Sequence, residues 1–178
     1  ADRPEARVTL ANFLMQRGQA TEAEAEYKAA RRLNPQFAPA AINLADLYRS
    51  LGREDDGVAV LRDAVATTPQ DAGLRYAVGL ALVRQKKQDD ALAELKRAVE
   101  LAPDQAHYSY VYAVGLHSAG RIDEAIAALK DNLTKHPMDR ESLLALVSFY
   151  RDSGNIASAL EYAPVSYTHL TLPTTSRV

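Results

Sequence analysis

Cysteine is absent from all 178 residues of the chain, which excludes disulfides, thiolate metal sites and a cysteine nucleophile. No charge of one sign dominates. The 21 Lys+Arg against 23 Asp+Glu leave a net charge of −2, and no basic stripe emerges to neutralise phosphates, so nucleic-acid binding is not expected. No apolar run approaches the length of a membrane span, and no charged-then-apolar signal segment opens the chain. Membrane insertion is therefore not expected either. The glycines are isolated, so no phosphate-cradling loop is present. The first residue is Ala1 rather than Met, as expected of a fragment or a processed chain, and a fragment is the favoured reading.

What the chain does hold is a period. Pro35, Pro69, Pro103 and Pro137 are spaced 34 residues apart without slippage. Gly18, Gly52, Gly120 and Gly154 follow the same spacing, with Lys86 in the place of the missing glycine, and Thr21, Asp55, Asp89 and Asp123 form a third lattice. A strict period of this length marks stacked repeats, each burying its apolar face only against its neighbours. Each unit reads as a helix–turn–helix. Glycine takes the left-handed conformation that closes the first helix. The residue three positions on is expected to cap the second helix, and the proline follows that helix because it cannot continue it.

Helices are predicted in pairs: 4–17 with 21–33, 38–51 with 55–67, 72–85 with 89–101, 106–119 with 123–135, and 140–153 with 156–163. Apolar residues recur at three- and four-residue steps, as in Ile42, Leu44, Ala45, Leu47, Tyr48 and Leu51. No segment alternates with the period of two that a strand requires. The expected fold class is all-α.

Aligned on the prolines, the first helices carry a large–small–large set: Leu10, Ala11, Leu14; Leu44, Ala45, Tyr48; Val78, Gly79, Leu82; Tyr112, Ala113, Leu116; Leu146, Val147, Tyr150. The second helices pair a small residue with a bulky one: Ala23 with Tyr27, Gly57 with Leu61, Ala91 with Leu95, Ala125 with Leu129. A further small residue, Ala30, Ala64 or Ala98, lies where the next repeat should pack. On these residues the chain resembles the tetratricopeptide repeat family. The resemblance covers residues 4–163, as repeats 4–37, 38–71, 72–105 and 106–139 and a partial fifth, 140–163. It implies a solenoid of antiparallel helix pairs in a right-handed superhelix, with partners bound along a concave groove.

Three departures stand out. The family's tryptophan is replaced at every repeat, by Arg7, Ala41, Arg75, Ser109 and Leu143. Asn132 takes the small-residue position between repeats four and five, where it must find a hydrogen-bond partner or stay wet. After Ala163 the repeat pattern stops. Residues 164–178 are rich in Thr and β-branched residues, Pro164 is expected to break the last helix, and the segment reads as non-native read-through.

No catalytic constellation emerges. His169 lies in the irregular end and His136 before a turn proline. His107 and His117 share one helix but sit ten residues and about 15 Å apart along its axis, too far to share a metal. The pairs Asp55-Asp56 and Asp89-Asp90 fit helix N-termini. No metal, no cofactor and no enzymatic activity are expected.

The second, fifth, ninth and twelfth positions of each first helix share one side, which the resemblance places on the groove. They read Glu5, Val8, Asn12 and Met15; Pro39, Ile42, Asp46 and Arg49; Gly73, Tyr76, Leu80 and Val83; His107, Tyr110, Val114 and His117; Glu141, Leu144, Ser148 and Arg151. With Asn43 and Arg84 beside them, Asn12, Ile42, Asp46, Arg49, Tyr76, Leu80, Val83, His107, Tyr110, Val114 and His117 are the candidate partner-binding residues. Exposed apolar area rimmed by polar groups marks contact surfaces, and aromatic anchors are common there. Some relatives clamp a C-terminal carboxylate with two asparagines and several cations. Asn12 and Asn43 match the asparagines, but Val8, Gly73 and Ala77 replace the cations, so charge-assisted capture is not expected.

The expected function is a non-catalytic scaffold that holds a protein or peptide in its groove, with self-association possible through the uncapped end. The alternative is an appended module of a larger enzyme or electron-transfer protein. Residues 106–120 are similar to repeat arrays of bacterial multihaem cytochromes, and comparable arrays precede glycosyltransferase domains.

Overall fold

A computed structural model describes residues 2–167, with side chains to Ala163. Among these residues the architecture is all-α: α1 (Pro4–Gln16), α2 (Ala20–Leu33), α3 (Ala38–Ser50), α4 (Glu54–Thr67), α5 (Ala72–Arg84), α6 (Gln88–Leu101), α7 (Ala106–Ser118), α8 (Ile122–Lys135), α9 (Arg140–Asp152) and α10 (Ile156–Tyr167). Each odd helix packs on the even helix that follows it. The chain divides into two compact units, Ala1–Leu101 and Ala102–Val178.

The turn within each pair is the same device five times. The residue after each C-cap has positive φ: Gly18, Gly52, Gly120 and Gly154 at 72–77°, and Lys86 at 59°. The next N–H reaches back five residues, as in Arg53 to the Tyr48 carbonyl at 2.8 Å and Lys87 to the Leu82 carbonyl at 3.0 Å. Those bonds satisfy carbonyls that the helix end leaves open. Lys86 therefore adopts a conformation that its neighbours reserve for glycine.

The starts of the second helices differ from expectation. Thr21, Asp55, Asp89 and Asp123 lie at the second helical position, and the preceding Gln19, Arg53 and Arg121 give no side-chain cap to α2, α4 and α8. One position inside the helix, a carboxylate still favours the positive end of the dipole but cannot fold back onto free N–H groups. Side-chain caps sit instead on two first helices and on α10, where Asn155 Oδ1 accepts from the Ser158 N–H at 3.1 Å. Asp71 accepts from the Leu74 N–H at 2.8 Å and Asp139 from the Ser142 N–H at 3.0 Å.

The packing sets close as the sequence implies. Ala23 and Tyr27, Gly57 and Leu61, Ala91 and Leu95, and Ala125 and Leu129 are all buried. In the first unit, Ala11, Tyr27, Ala30, Leu44 and Leu47 form one apolar cluster and Leu61, Ala64, Leu74, Val78 and Leu82 another. Small residues let the helix axes approach while bulky ones fill the grooves. Gly79 takes this furthest, since an added Cβ would lie 2.7 Å from Leu95 Cγ. Leu10 departs from its set. It is 44% exposed because no described helix packs on that side of α1.

Two of the five tryptophan substitutions have a visible replacement. Arg7 Nη1 donates to Glu26 at 2.7 Å and Arg75 Nη1 to Glu94 at 2.9 Å, so an ion pair ties the first helix to the second. Ala41, Ser109 and Leu143 at the same position are simply buried.

In the second unit Asn132 is 1% exposed, so the expectation of a partner or of solvent resolves in favour of partners. Its Nδ2 donates to Ser142 Oγ at 2.8 Å and lies 3.2 Å from the Ala106 carbonyl and 3.3 Å from Asp139 Oδ2. Its Oδ1 has no partner. His136, before the turn proline, is half-buried with its Nε2 enclosed and unpartnered. Pro164 does not stop α10, which runs to Tyr167. Proline removes one N–H and crowds the carbonyl four residues back, but its fixed φ is a helical one. Residues 168–178, the rest of the segment that reads as non-native read-through, lie outside the described residues.

The first two repeats are joined by a charged cluster. Glu24 accepts from Lys28 Nζ at 2.6 Å, Tyr48 Oη at 2.9 Å and Arg53 Nη1 at 3.0 Å, and the Arg53 guanidinium lies 4.1 Å from the centre of the Tyr48 ring. The Lys28 hydrogen bond leads in holding the Glu24 carboxyl below its ordinary range, aided by Tyr48 and the positive charges, while burial opposes them. A depressed carboxyl stabilises the fold above its unfolded pKa and loses that contribution as pH falls through the folded value. Glu24→Gln should therefore lower stability at neutral pH and show a shallower loss between about pH 5 and pH 3, read from denaturant midpoints across that window. Lys86→Gly should raise stability by up to about 1 kcal/mol, read as a higher denaturant midpoint, because the positive φ then carries no Cβ penalty. A lower midpoint would count against that account of the turn.

Candidate functional site

The inner positions of the first helices fall in two places, one in each compact unit. In the first unit, α1 and α3 bring Asn12, Asn43, Asp46 and Arg49 around a pocket of 440 Å³, completed by Met15, Tyr27, Leu47 and Ser50. Tyr27 Oη donates to Asn12 Oδ1 at 2.5 Å, and Asn43 Nδ2 donates to the same oxygen at 3.1 Å. Two donors on one carbonyl oxygen use both of its lone pairs. This fixes the Asn12 amide, with its Nδ2 directed away from both donors. Asp46 Oδ1 meets Arg49 Nε at 3.4 Å, a long contact between exposed groups.

Tyr27 was legible only as a packing residue. Where it stands, the other repeats hold Leu61, Leu95 and Leu129, so its hydroxyl was the signal that it also reaches the site. Its phenol is pushed above the ordinary tyrosine range, first by burial and then by the negative charge of Asp46.

The remaining candidates of this unit are placed differently. Val8 is buried in the core and does not line the inner face. Ile42 is half-buried and packs on the second apolar cluster. Tyr76 and Leu80 are half-buried on α5, whereas Val83 is 48% exposed. Arg84 Nε donates to Glu54 Oε1 at 2.8 Å, which ties it to α4. With Val8 buried, and Gly73 and Ala77 without side-chain donors, the clamp's own cation positions are empty, and Arg49 is the cation that lines the pocket of the two asparagines. The carboxylate clamp is incomplete.

In the second unit α7 lies against α9. His107 Nδ1 is 2.8 Å from Glu141 Oε2, and its ring centre is 6.1 Å from that of Tyr110. His117 stacks on Phe149, with centroids 3.9 Å apart and an interplanar angle of 8°. The two histidines thus each engage α9 and neither faces the other. Phe149 was missed because it occupies a packing position of its repeat. Tyr110 and Val114 are half-buried between the histidines, and Leu144 on α9 is 43% exposed. Among the described residues no group of three His, Asp or Glu side chains could hold a metal ion, and no helix is long and apolar enough to cross a membrane.

The inner positions of the first unit offer amide, carboxylate and phenol groups, and those of the second unit imidazole and aromatic surface. Family models described as "Tetratricopeptide repeat" match residues 14–79, and 76–131 together with 116–164. No curated protein matches the chain significantly. Among solved structures, the chain is similar to a MamA protein at 20% identity, covering 93% of this chain and 90% of that one with a TM-score of 0.76. MamA from Desulfovibrio magneticus is similar at 18% identity, with 96% and 97% covered and a TM-score of 0.76. YrrB, described as a TPR protein with an unusual peptide-binding site, is similar at 22% identity, with 91% and 84% covered and a TM-score of 0.70. At such identities the likeness speaks for the fold, an array of antiparallel helix pairs of a kind that serves protein–protein interaction. The repeat lattice, the helix pairs and the matched models agree, and the chain belongs to the tetratricopeptide repeat family.

Proposed function

We propose that the chain is a non-catalytic scaffold that binds a peptide segment or a neighbouring domain on the inner positions of its first helices. The observation that carries the reading is a contrast along single helices. On α5 the packing residues Val78, Gly79 and Leu82 are buried, and on α7 Ala113 and Leu116 are buried with Tyr112 half-buried, while Tyr76, Leu80, Tyr110 and Val114, on the other side, keep part of their surface in water. Core packing gives no reason for apolar and aromatic residues at those positions, whereas an interface does. The description of YrrB as peptide-binding agrees with the same use of the fold. Self-association through the last repeat belongs to this reading: Leu160 is 64% exposed, while its equivalent Val58 is buried.

Tyr76 and Tyr110 are the best anchors of their respective units. Truncating a buried aromatic anchor commonly costs about 2 kcal/mol or more, roughly a thirtyfold loss of affinity. Partners captured by the wild-type chain should therefore bind Tyr76→Ala/Tyr110→Ala much more weakly. Lys96→Ala/Glu100→Ala, on the exposed side of α6, should leave their affinity unchanged. A folded double tyrosine variant that keeps every partner at full affinity would move the binding surface to the second helices.

A further inference from the structure

We propose that the pocket between α1 and α3 is a recognition site for one cationic side chain, Arg or Lys, carried by an extended partner segment, with Asp46 as its counter-ion. The inference rests on the reading of the inner face as a binding surface and names the chemistry that part of it selects. Its volume of 440 Å³ leaves room for a long side chain.

The polar inventory of the pocket decides the class. Asn12 Oδ1 is saturated by Tyr27 and Asn43. The acceptors left over are Asn43 Oδ1, whose amide donates through its nitrogen, Ser50 Oγ, whose proton goes to the Leu47 carbonyl, and the Asp46 carboxylate. Asp46 brings the pocket's one negative charge, and among the described residues its ion pair is the 3.4 Å contact with Arg49, made through one oxygen. Both of those side chains are at least half exposed, so the pair contributes little and is readily exchanged for another cation. By contrast Arg84 is committed to Glu54 at 2.8 Å and Arg53 to Asp56 at 2.7 Å.

Met15 and Leu47 line the same space and give an apolar surface for the methylene stem of Lys or Arg. A guanidinium could bridge Asp46 and Asn43 Oδ1 with its planar fork. An acidic side chain or a C-terminal carboxylate would instead meet Asp46 at close range with only Arg49 to offset it, and like charges at an interface disfavour that partner.

The test uses random peptides displayed on phage, panned against the full chain and against Asp46→Asn. The wild-type chain should enrich peptides containing Arg or Lys, and Asp46→Asn should lose that enrichment. For one selected peptide made synthetically, Asp46→Asn and replacement of the peptide's cation by Gln should each weaken binding about tenfold, equal to about 1.4 kcal/mol. The two changes together should cost no more than either one. Enriched peptides without a cationic bias, or affinities untouched by Asp46→Asn, would overturn this inference. Where such peptides still depend on Tyr76 or Tyr110, the binding-surface reading stands. No enrichment over a blank surface would overturn that reading and this inference with it.

Discussion

Everything in this structure depends on helix pairs that cannot bury their apolar faces alone. Each pair needs the next, and the next can approach only because a small residue sits at the seam. Ala30 and Ala64 are fully buried in the first unit, where the first-helix residues Ala40, Leu44, Leu74 and Val78 are buried as well. With the helix axes held close there, the inner positions of successive first helices come within reach of each other. The Asn43–Asn12 hydrogen bond is the direct result. It joins residues 31 apart in sequence and exists only because the seam between repeats one and two is closed.

The seam between α8 and α9 meets the same need in another way. Asn132 replaces alanine and is satisfied through Ser142, the Ala106 carbonyl and Asp139. A buried amide is tolerated when its donors are used, at the cost of geometric exactness and here of one unmatched oxygen. Asp139 has two tasks in this arrangement, since it also caps α9. The polar seam and the start of the helix are therefore one construction. The contacts of α9 with α7, His107 to Glu141 and His117 to Phe149, rely on α9 being held there.

The two units present different inner chemistry on a common frame. The first gathers amides, a carboxylate and a phenol around one pocket. The second offers imidazole and aromatic surface in which His107 and His117 are both engaged by α9. Repetition explains the frame and says nothing about this difference. Inner positions do not pack the core, so the fold leaves their identity open, and that freedom allows one array to serve different partners.

By itself, the sequence determined the period, the ten helices to within about one residue at most ends, the positive φ at Lys86 and the buried small–large pairs. These follow from local rules: glycine at a left-handed turn, proline after a helix, and apolar residues at helical spacing. Caps were less legible, because Thr21, Asp55 and Asp123 carry cap chemistry two residues past the N-cap, with Asp89 likewise at the second position of its helix, and residue type does not reveal such an offset. Only the tertiary structure decided that Val8 turns into the core, that Arg7 and Arg75 pair with Glu26 and Glu94, and that Tyr27 reaches Asn12. Each of these depends on a distance between helices, which periodicity alone does not specify. A lattice in sequence tells which side of a helix a residue occupies; what that residue touches is set by how closely the neighbouring helix comes.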